Sequence, residues 1–243
     1  MANLPGALAL WLLACSGGCV CLPQAALAQG LQITPISIEM QSGQMTTTLM
    51  VVNKSPAPAN LQLRPFKWDQ IGGTDNLRPT AELAVSPPMT QVAAGETQTF
   101  RVVLRQNATA TQASYRMLLD QLPGAGSQGN VRVILRFSIP VFANPSTPTE
   151  AKLDWRVTAD QNGANLIGAN RGSAHVRILN PTLSEAQGRR LSVEAGQNPY
   201  ILPGAERIWH IQTGIPLRSG STLHLVATSD GGPIDAKVRV SSP

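Results

Sequence analysis

The sequence predicts an all-β protein: two sandwich domains joined by a short proline-containing linker. Three observations carry this expectation. Apolar residues alternate with polar ones over short runs, the period of a half-buried strand. Clusters of proline, glycine and small polar residues punctuate those runs, and the 243-residue chain has 19 prolines and 21 glycines. Charged residues make up only 14%, and no long stretch keeps the 3.6-residue period of a surface helix, so helices should be few.

The first 28 residues read as an export signal. An apolar run at 7–13 precedes a second one ending Ala26-Leu27-Ala28. This small-x-small ending predicts cleavage before Gln29 and export of the remaining chain. The segment lacks the usual Lys or Arg near its start. Leu12-Leu13-Ala14-Cys15 loosely resembles a lipoprotein box, but Leu13 is atypical there, so Cys15 is expected to leave with the signal. No later stretch holds the roughly 18 uninterrupted apolar residues of a transmembrane helix, so no stable membrane insertion is expected. All three cysteines, Cys15, Cys19 and Cys21, fall within the signal. The exported chain must therefore be held by packing and not by disulfides.

Beyond the signal, Leu31, Ile33 and residues 36–40 form a first strand that Pro35 breaks. Alternating runs follow at 46–53, 61–68, 97–104 and 115–119. Turns separate them at Ser55-Pro56-Ala57-Pro58, Gly72-Gly73, Pro87-Pro88 and Ala94-Gly95. Such spacing predicts an antiparallel sandwich or barrel. Residues 143–149 (ANPSTPT) suit a short stiffened linker. Strands resume at 152–158, 174–179, 191–194, 206–212, 221–228 and 237–240. The expected domains, 29–143 and 144–243, each hold about 100 residues, the usual size of an immunoglobulin-like sandwich. Beyond that similarity of scale no internal repeat is evident.

Several function classes are disfavoured. The net charge of +5 comes from scattered Lys and Arg, with no basic block, so nucleic acid binding is not expected. Gly124-Ala125-Gly126-Ser127-Gln128-Gly129 matches GxGxxG. The dinucleotide fingerprint needs a strand before it and a helix after it; here a strand follows, and a loop is the better reading. His175, His210 and His224 show no metal-ligand spacing, and no cysteine accompanies them. They are expected on surfaces or strand faces, with no metal and no cofactor. No GxSxG elbow and no clustered carboxylates or Ser-His-Asp set points to an enzyme. Trp68, Trp155 and Trp209 sit in strand patterns and are expected in the core. The sequons at Asn53 and Asn107 are short patterns that chance supplies.

The most informative segment is 131–142, VRVILRFSIPVF. Val131, Val133, Leu135, Phe137, Ile139 and Val141 share one face; Arg132, Ile134, Arg136, Ser138 and Pro140 share the other. Twelve residues at about 3.3 Å each give a strand of roughly 40 Å, about twice the usual length. It reads either as a long core strand or as an edge strand offered to another protein. Pro140 suits an edge.

Together with the export signal and two sandwiches, this strand resembles the periplasmic pilus-assembly chaperones of the PapD type. Local motifs agree: Asn53 after the second strand, Trp68 ending the third, Ser86-Pro87-Pro88, Ala94-Gly95-Glu96 and Phe100-Arg101-Val102. Residues 115–123 (YRMLLDQLP) resemble the penultimate first-domain strand, and 138–142 (SIPVF) the end of the donor strand. Asn170-Arg171-Gly172 and Tyr200-Ile201-Leu202-Pro203-Gly204 fit the second domain. The branch that builds P and type 1 pili grips a subunit's terminal carboxylate with an Arg on the first strand and a Lys on the donor strand. Ile38 and Pro140 stand there in this chain, which is more similar to the non-classical, archaic branch.

The resemblance implies that the chain captures pilus subunits, which are incomplete sandwiches, by donor-strand complementation and delivers them to an outer-membrane usher. Val131, Val133, Leu135 and Phe137 are the implied donor side chains. Arg116, which alternates with Tyr115 and Met117, is the first choice for the carboxylate anchor. Arg64, Lys67 and Arg136 are the further candidates. Strand exchange supplies the energy, so no nucleotide is required. The rival readings are a two-domain binding or adhesion module and a carbohydrate-active sandwich. An aromatic content of 4% argues against the latter.

Overall fold

The computed structural model describes residues 30–123, 135–160, 163–194, 196, 198–214 and 216–242. The expected signal with Cys15, the 124–129 glycine motif, and donor positions Val131 and Val133 lie outside the described residues. Every regular element among the described residues is a β-strand.

Ten strands belong to the first sandwich: β1 (Leu31–Thr34), β2 (Ile38–Met40), β3 (Thr46–Asn53), β4 (Ala59–Ile71), β5 (Thr74–Pro79), β6 (Leu83–Ser86), β7 (Met89–Val92), β8 (Thr97–Leu104), β9 (Ala113–Leu122) and β10 (Arg136–Ala143). One sheet has the order β1-β3-β8-β6. The facing sheet runs β2-β10-β9-β4-β5, with β7 also on β4. Pro35 divides the first strand as expected, and its two halves serve different sheets. Alternation places Leu49 and Val51 of β3, Phe100 and Val102 of β8, and Met117 and Leu119 of β9 in one interior, all fully buried. Each such side chain contributes about 1.5–3 kcal/mol on burial.

The second sandwich comprises β11 (Leu153–Asp160), β12 (Gly163–Asn170), β13 (Val176–Glu185), β14 (Arg190–Val193), β15 (Tyr200–Ile201), β16 (Glu206–Gln212), β17 (Thr222–Ser229) and β18 (Gly232–Ser241). Its sheet order is β14-β16-β12-β11-β18-β17-β13-β15, and β14 also pairs β13, which closes the ring. Its separate core includes Val157, Leu166, Leu183, Trp209 and Leu225. Two pairings are parallel and depart from the expected antiparallel pattern: β10 with β2, and β11 with β18.

The two sandwiches share one corner, although their sequences show no internal repeat. Asn53 and Asn170 are both essentially fully buried. The Asn53 amide donates to the carbonyls of Ala57, Val92 and Ala93, and that of Asn170 to those of Ala174 and Ile201. Each side-chain oxygen accepts the N–H two residues on, at Ser55 and Gly172. Each Asn backbone then bonds one turn: Gly95 N–H to Asn53 O, and Gly204 N–H to Asn170 O, both at 2.8 Å. Those turns need positive φ, and Gly95 (77°) and Gly204 (71°) supply it without a Cβ clash. The repeat escapes the sequence because its partners share geometry and not identity. The Asn53 sequon is spent on this corner, since its amide nitrogen is buried and bonded.

Trp68, Phe142 and Leu202 form a third apolar cluster, packed by Leu77, Tyr200 and Ala205, where the two sandwiches meet.

Candidate functional site

The site is built from one strand edge and the charges beside it. β10 lies antiparallel to β9, from Arg136 opposite Asp120 to Ala143 opposite Ala113. The Leu135 carbonyl accepts the Gln121 N–H at 2.9 Å. Hydrogen-bonded pairs alternate along such a ladder. Residues 137, 139 and 141 therefore bond to β9, while 136, 138 and 140 turn their backbone groups outward. On that outer side β2 pairs only with Val141, Phe142 and Ala143. Among the described residues, no strand covers β10 from 136 to 140. Pro140 sits where its missing N–H would have faced the open edge, so it costs β9 nothing.

Side chains on β10 divide as the alternation predicts. Ile139 and Val141 are buried in the first core, and Phe137 packs against it half-buried. Leu135, just before the strand, is half-buried. Of the implied donor side chains, Phe137 thus already leans on the chain's own core.

The opposite face of this sheet carries the charges. Arg116 stands opposite Pro140 and Phe66, Arg64 opposite Leu118, and Arg136 opposite Asp120. Asp120 is shared: Arg64 Nη2 donates to it at 2.6 Å and Arg136 Nε at 2.5 Å. Burial works to raise the Asp120 carboxyl, but the bonds from Arg136 and then Arg64 outweigh it and hold it below the ordinary range. Arg64 Nε is buried with no hydrogen-bond partner. Lys67 alternates to the other face. It bonds Glu82 at 2.8 Å beside the Tyr115 ring, and Tyr115 Oη donates to the same carboxylate at 2.7 Å. Lys67 and Glu82 line an open, mostly polar cleft of about 530 Å³ that Arg116 does not reach.

Arg116 differs from the other three cations. Its guanidinium lies 3.7 Å from the centre of the Trp68 ring and 5.6 Å from that of Tyr200, a cation–π seat between the domains. No carboxylate among the described residues lies within ion-pair distance. Burial pulls the group below its ordinary value, with Asp75 and Tyr200 working against that and Arg207 with it. Of the four anchor candidates, the structure leaves Arg116 alone without an acidic partner among the described residues.

A polar network fixes the domains around this seat. Asp75 Oδ1 accepts from Trp68 Nε1 (3.2 Å), Gln70 Nε2 (2.9 Å) and Arg207 Nη1 (3.3 Å); its Oδ2 accepts from Asn198 Nδ2 (2.5 Å). Gln70 also bridges to the backbone of Tyr200 and Leu202. Sequence reasoning missed this network, because its two halves, at 68–75 and 198–207, stand more than 120 residues apart. It also misplaced His175, which is neither on a surface nor in a strand. Its ring stacks on Phe142 (3.5 Å, 4°), Nδ1 meets Gln112 Oε1 at 2.6 Å, and Nε2 faces Glu39 (3.6 Å) and Asp230 (3.8 Å). His210 and His224 are on exposed strand positions, as expected.

Residues 30–149 match the model of the pili and flagellar-assembly chaperone family, PapD N-terminal domain. No curated protein matches the sequence. Among solved structures, the chain is similar to one from the CsuC–CsuE chaperone–tip adhesion subunit pre-assembly complex of the archaic chaperone-usher Csu pili of Acinetobacter baumannii. The TM-score is 0.65 at 22% identity, covering 88% of this chain and 99% of that one. The YadV chaperone matches with a TM-score of 0.62 at 18% identity, covering 86% and 98%. The complex of the Salmonella enterica SafA pilin with the SafB chaperone gives 0.60 at 15%, covering 87% and 98%.

Proposed function

Because the chain belongs to the PapD-like family of pilus-assembly chaperones, we propose that it captures pilus subunits on the open edge of β10 and passes them to an outer-membrane usher. The family assembles fibres and is not enzymatic. The observation that carries the reading is the uncovered edge from Arg136 to Pro140, with Arg116 directly across from Pro140 and lacking an acidic partner among the described residues.

A subunit lacking its last strand exposes unpaired backbone groups and an apolar groove. The outward backbone groups of Arg136 and Ser138 meet the first need. Leu135, with Val131 and Val133 ahead of it, meets the second, at roughly 2 kcal/mol per buried side chain before ordering costs. Phe137 completes that face where it joins the chaperone's own core. Arg116 holds the subunit's terminal carboxylate by paired hydrogen bonds. That contact sets the register, which matters because a one-residue slip turns every side chain to the wrong face. Arg64 and Arg136 instead brace Asp120, and Lys67 braces Glu82. CsuC–CsuE and SafB–SafA, as chaperone–subunit complexes, support the kind of partner. Residues 1–28 act as a cleaved export signal to the periplasm, 29–143 form the capturing domain and 144–243 the second domain.

The test is recovery of the tagged chain from its native periplasm, with bound proteins identified by mass spectrometry. A near-equimolar β-rich subunit is expected. Arg116→Ala should lower its recovery at least tenfold, and Lys67→Ala less than twofold. A solitary chaperone, recovered while fibres are being made, would overturn the reading in favour of a binding module.

A further inference from the structure

We infer that Arg207 and Asn198 of the second domain are positioning residues for the anchor: by occupying the Asp75 carboxylate they keep it off Arg116, which stays free for a client's carboxylate. This rests on the capture reading above and assigns part of the site to the domain that does not carry the strand.

The geometry is that of two groups sharing one indole. Arg116 lies over the face of Trp68, while Asp75 accepts the N–H at the edge of that ring. A half-buried carboxylate this near a guanidinium would ordinarily pair with it. Asp75 does not: Oδ1 is crowded by three donors, Oδ2 is held by Asn198, and Arg207 supplies the neutralising charge. A carboxylate offers about four acceptor sites, and Asp75 receives four donors: Trp68, Gln70, Arg207 and Asn198. The two donors from the second domain include its neutralising charge. Arg207 is itself buried, and Nη1 also donates to the Gly73 carbonyl at 3.3 Å, which fixes it at the β4–β5 turn. Close packing holds that turn in place, since a Cβ on Gly73 would come within 2.9 Å of Ile208. Asp75 works to raise the Arg116 value and Arg207 to lower it, as a cation–anion–cation row requires. Without Arg207 the row collapses: the Asp75 carboxylate loses its neutralising partner, and Arg116 is the neighbouring cation.

The test uses the full exported chain carrying Arg207→Gln, Arg207→Lys, or Asp75→Asn combined with Arg207→Gln. Circular dichroism melts confirm folding. Two readouts follow: recovery of the subunit captured by the wild type, and hydrogen exchange of the Arg116 Nε–H by NMR, which needs no client. Arg207→Gln should lower recovery about tenfold and slow Arg116 Nε–H exchange. Arg207→Lys should restore both, and the double variant should return recovery to within twofold by removing the competing carboxylate. If the double variant captures as poorly as Arg207→Gln, or Arg116 exchange is unchanged in Arg207→Gln, the inference is wrong. If no variant and no wild type captures a subunit while Arg116 exchange still slows, the capture reading fails and the positioning survives.

Discussion

In the second sandwich every strand except β15 pairs with at least two others, because β14 joins β16 to β13 and closes the ring, although β11 and β18 meet only at Val157–Thr158 and Val240–Ser241. In the first, β10 runs from 136 to 140 with β9 as its one partner among the described residues. Yet both are hung from the same asparagine corner, with the same glycine turn bonded to it. The difference teaches that the open edge is not a defect of a weaker domain. The frame is equally well made in both, and β10 keeps its uncovered stretch beside Arg116. Exposed edges invite pairing, and an edge kept open beside a guanidinium without an acidic partner among the described residues is what the proposed capture requires.

The contrast can be broken within β10 itself. Ile139→Pro removes an N–H bonded to β9 together with a side chain only 3% exposed, and should unfold the first domain at a cost of several kcal/mol. Ser138→Pro removes an N–H that faces the open edge. It should leave the melting temperature within a few degrees while lowering subunit recovery at least tenfold. Equal melting temperatures for the two variants would show that the alternation is wrong.

The shared corner is tested next. Asn53→Ala and Asn170→Ala each orphan buried carbonyls, and each should cost about 2–4 kcal/mol, read by denaturant unfolding. Similar losses are expected. A loss confined to one variant would mean that the corner supports one sandwich and merely decorates the other.

The smallest effect lies where the sandwiches touch. Burial first, and Asp230 second, push the Glu39 carboxyl up to about 7. Burial pulls the His175 imidazole down to about 4, with Asp230 partly opposing. The folded state therefore favours protonated Glu39, and that contribution is present below about 4.5 and lost as pH rises through 7. It favours neutral His175, and that contribution is present above about 6.5 and lost as pH falls towards 4. The two oppose each other between these limits. Glu39→Gln removes the alkaline loss, so its melting temperature should gain on the wild type from pH 5 to pH 8. Parallel curves would exclude Glu39 as the group responsible.

Much of the first sandwich is legible in sequence because one face of each strand is wet. TTTLMVVN and TQTFRVVL declare β3 and β8 by alternation alone. β12, GANLIGAN, declares nothing: it is buried on both faces and made of small residues, and Gly168 is there because Trp155 lies across it. β5, TDNLRP, is mostly polar and is held by its register with β4. The alternation of Arg116 with Tyr115 and Met117 was legible, and Arg116 does face away from their side of β9. Its seat was not, because Trp68, Asp75, Tyr200 and Arg207 come together only through the packing of two domains.

Pro140 gives the open edge a zero mark. Beyond it β2 already occupies the side of the strand, and at it the donor series stops. In the proposed capture, a guest strand would be counted only outward from this point, in steps of two residues, with Arg116 standing at the origin. On that reading the edge is a ruler as well as a surface: pairing would be fixed at one end and could lengthen or peel only from the other.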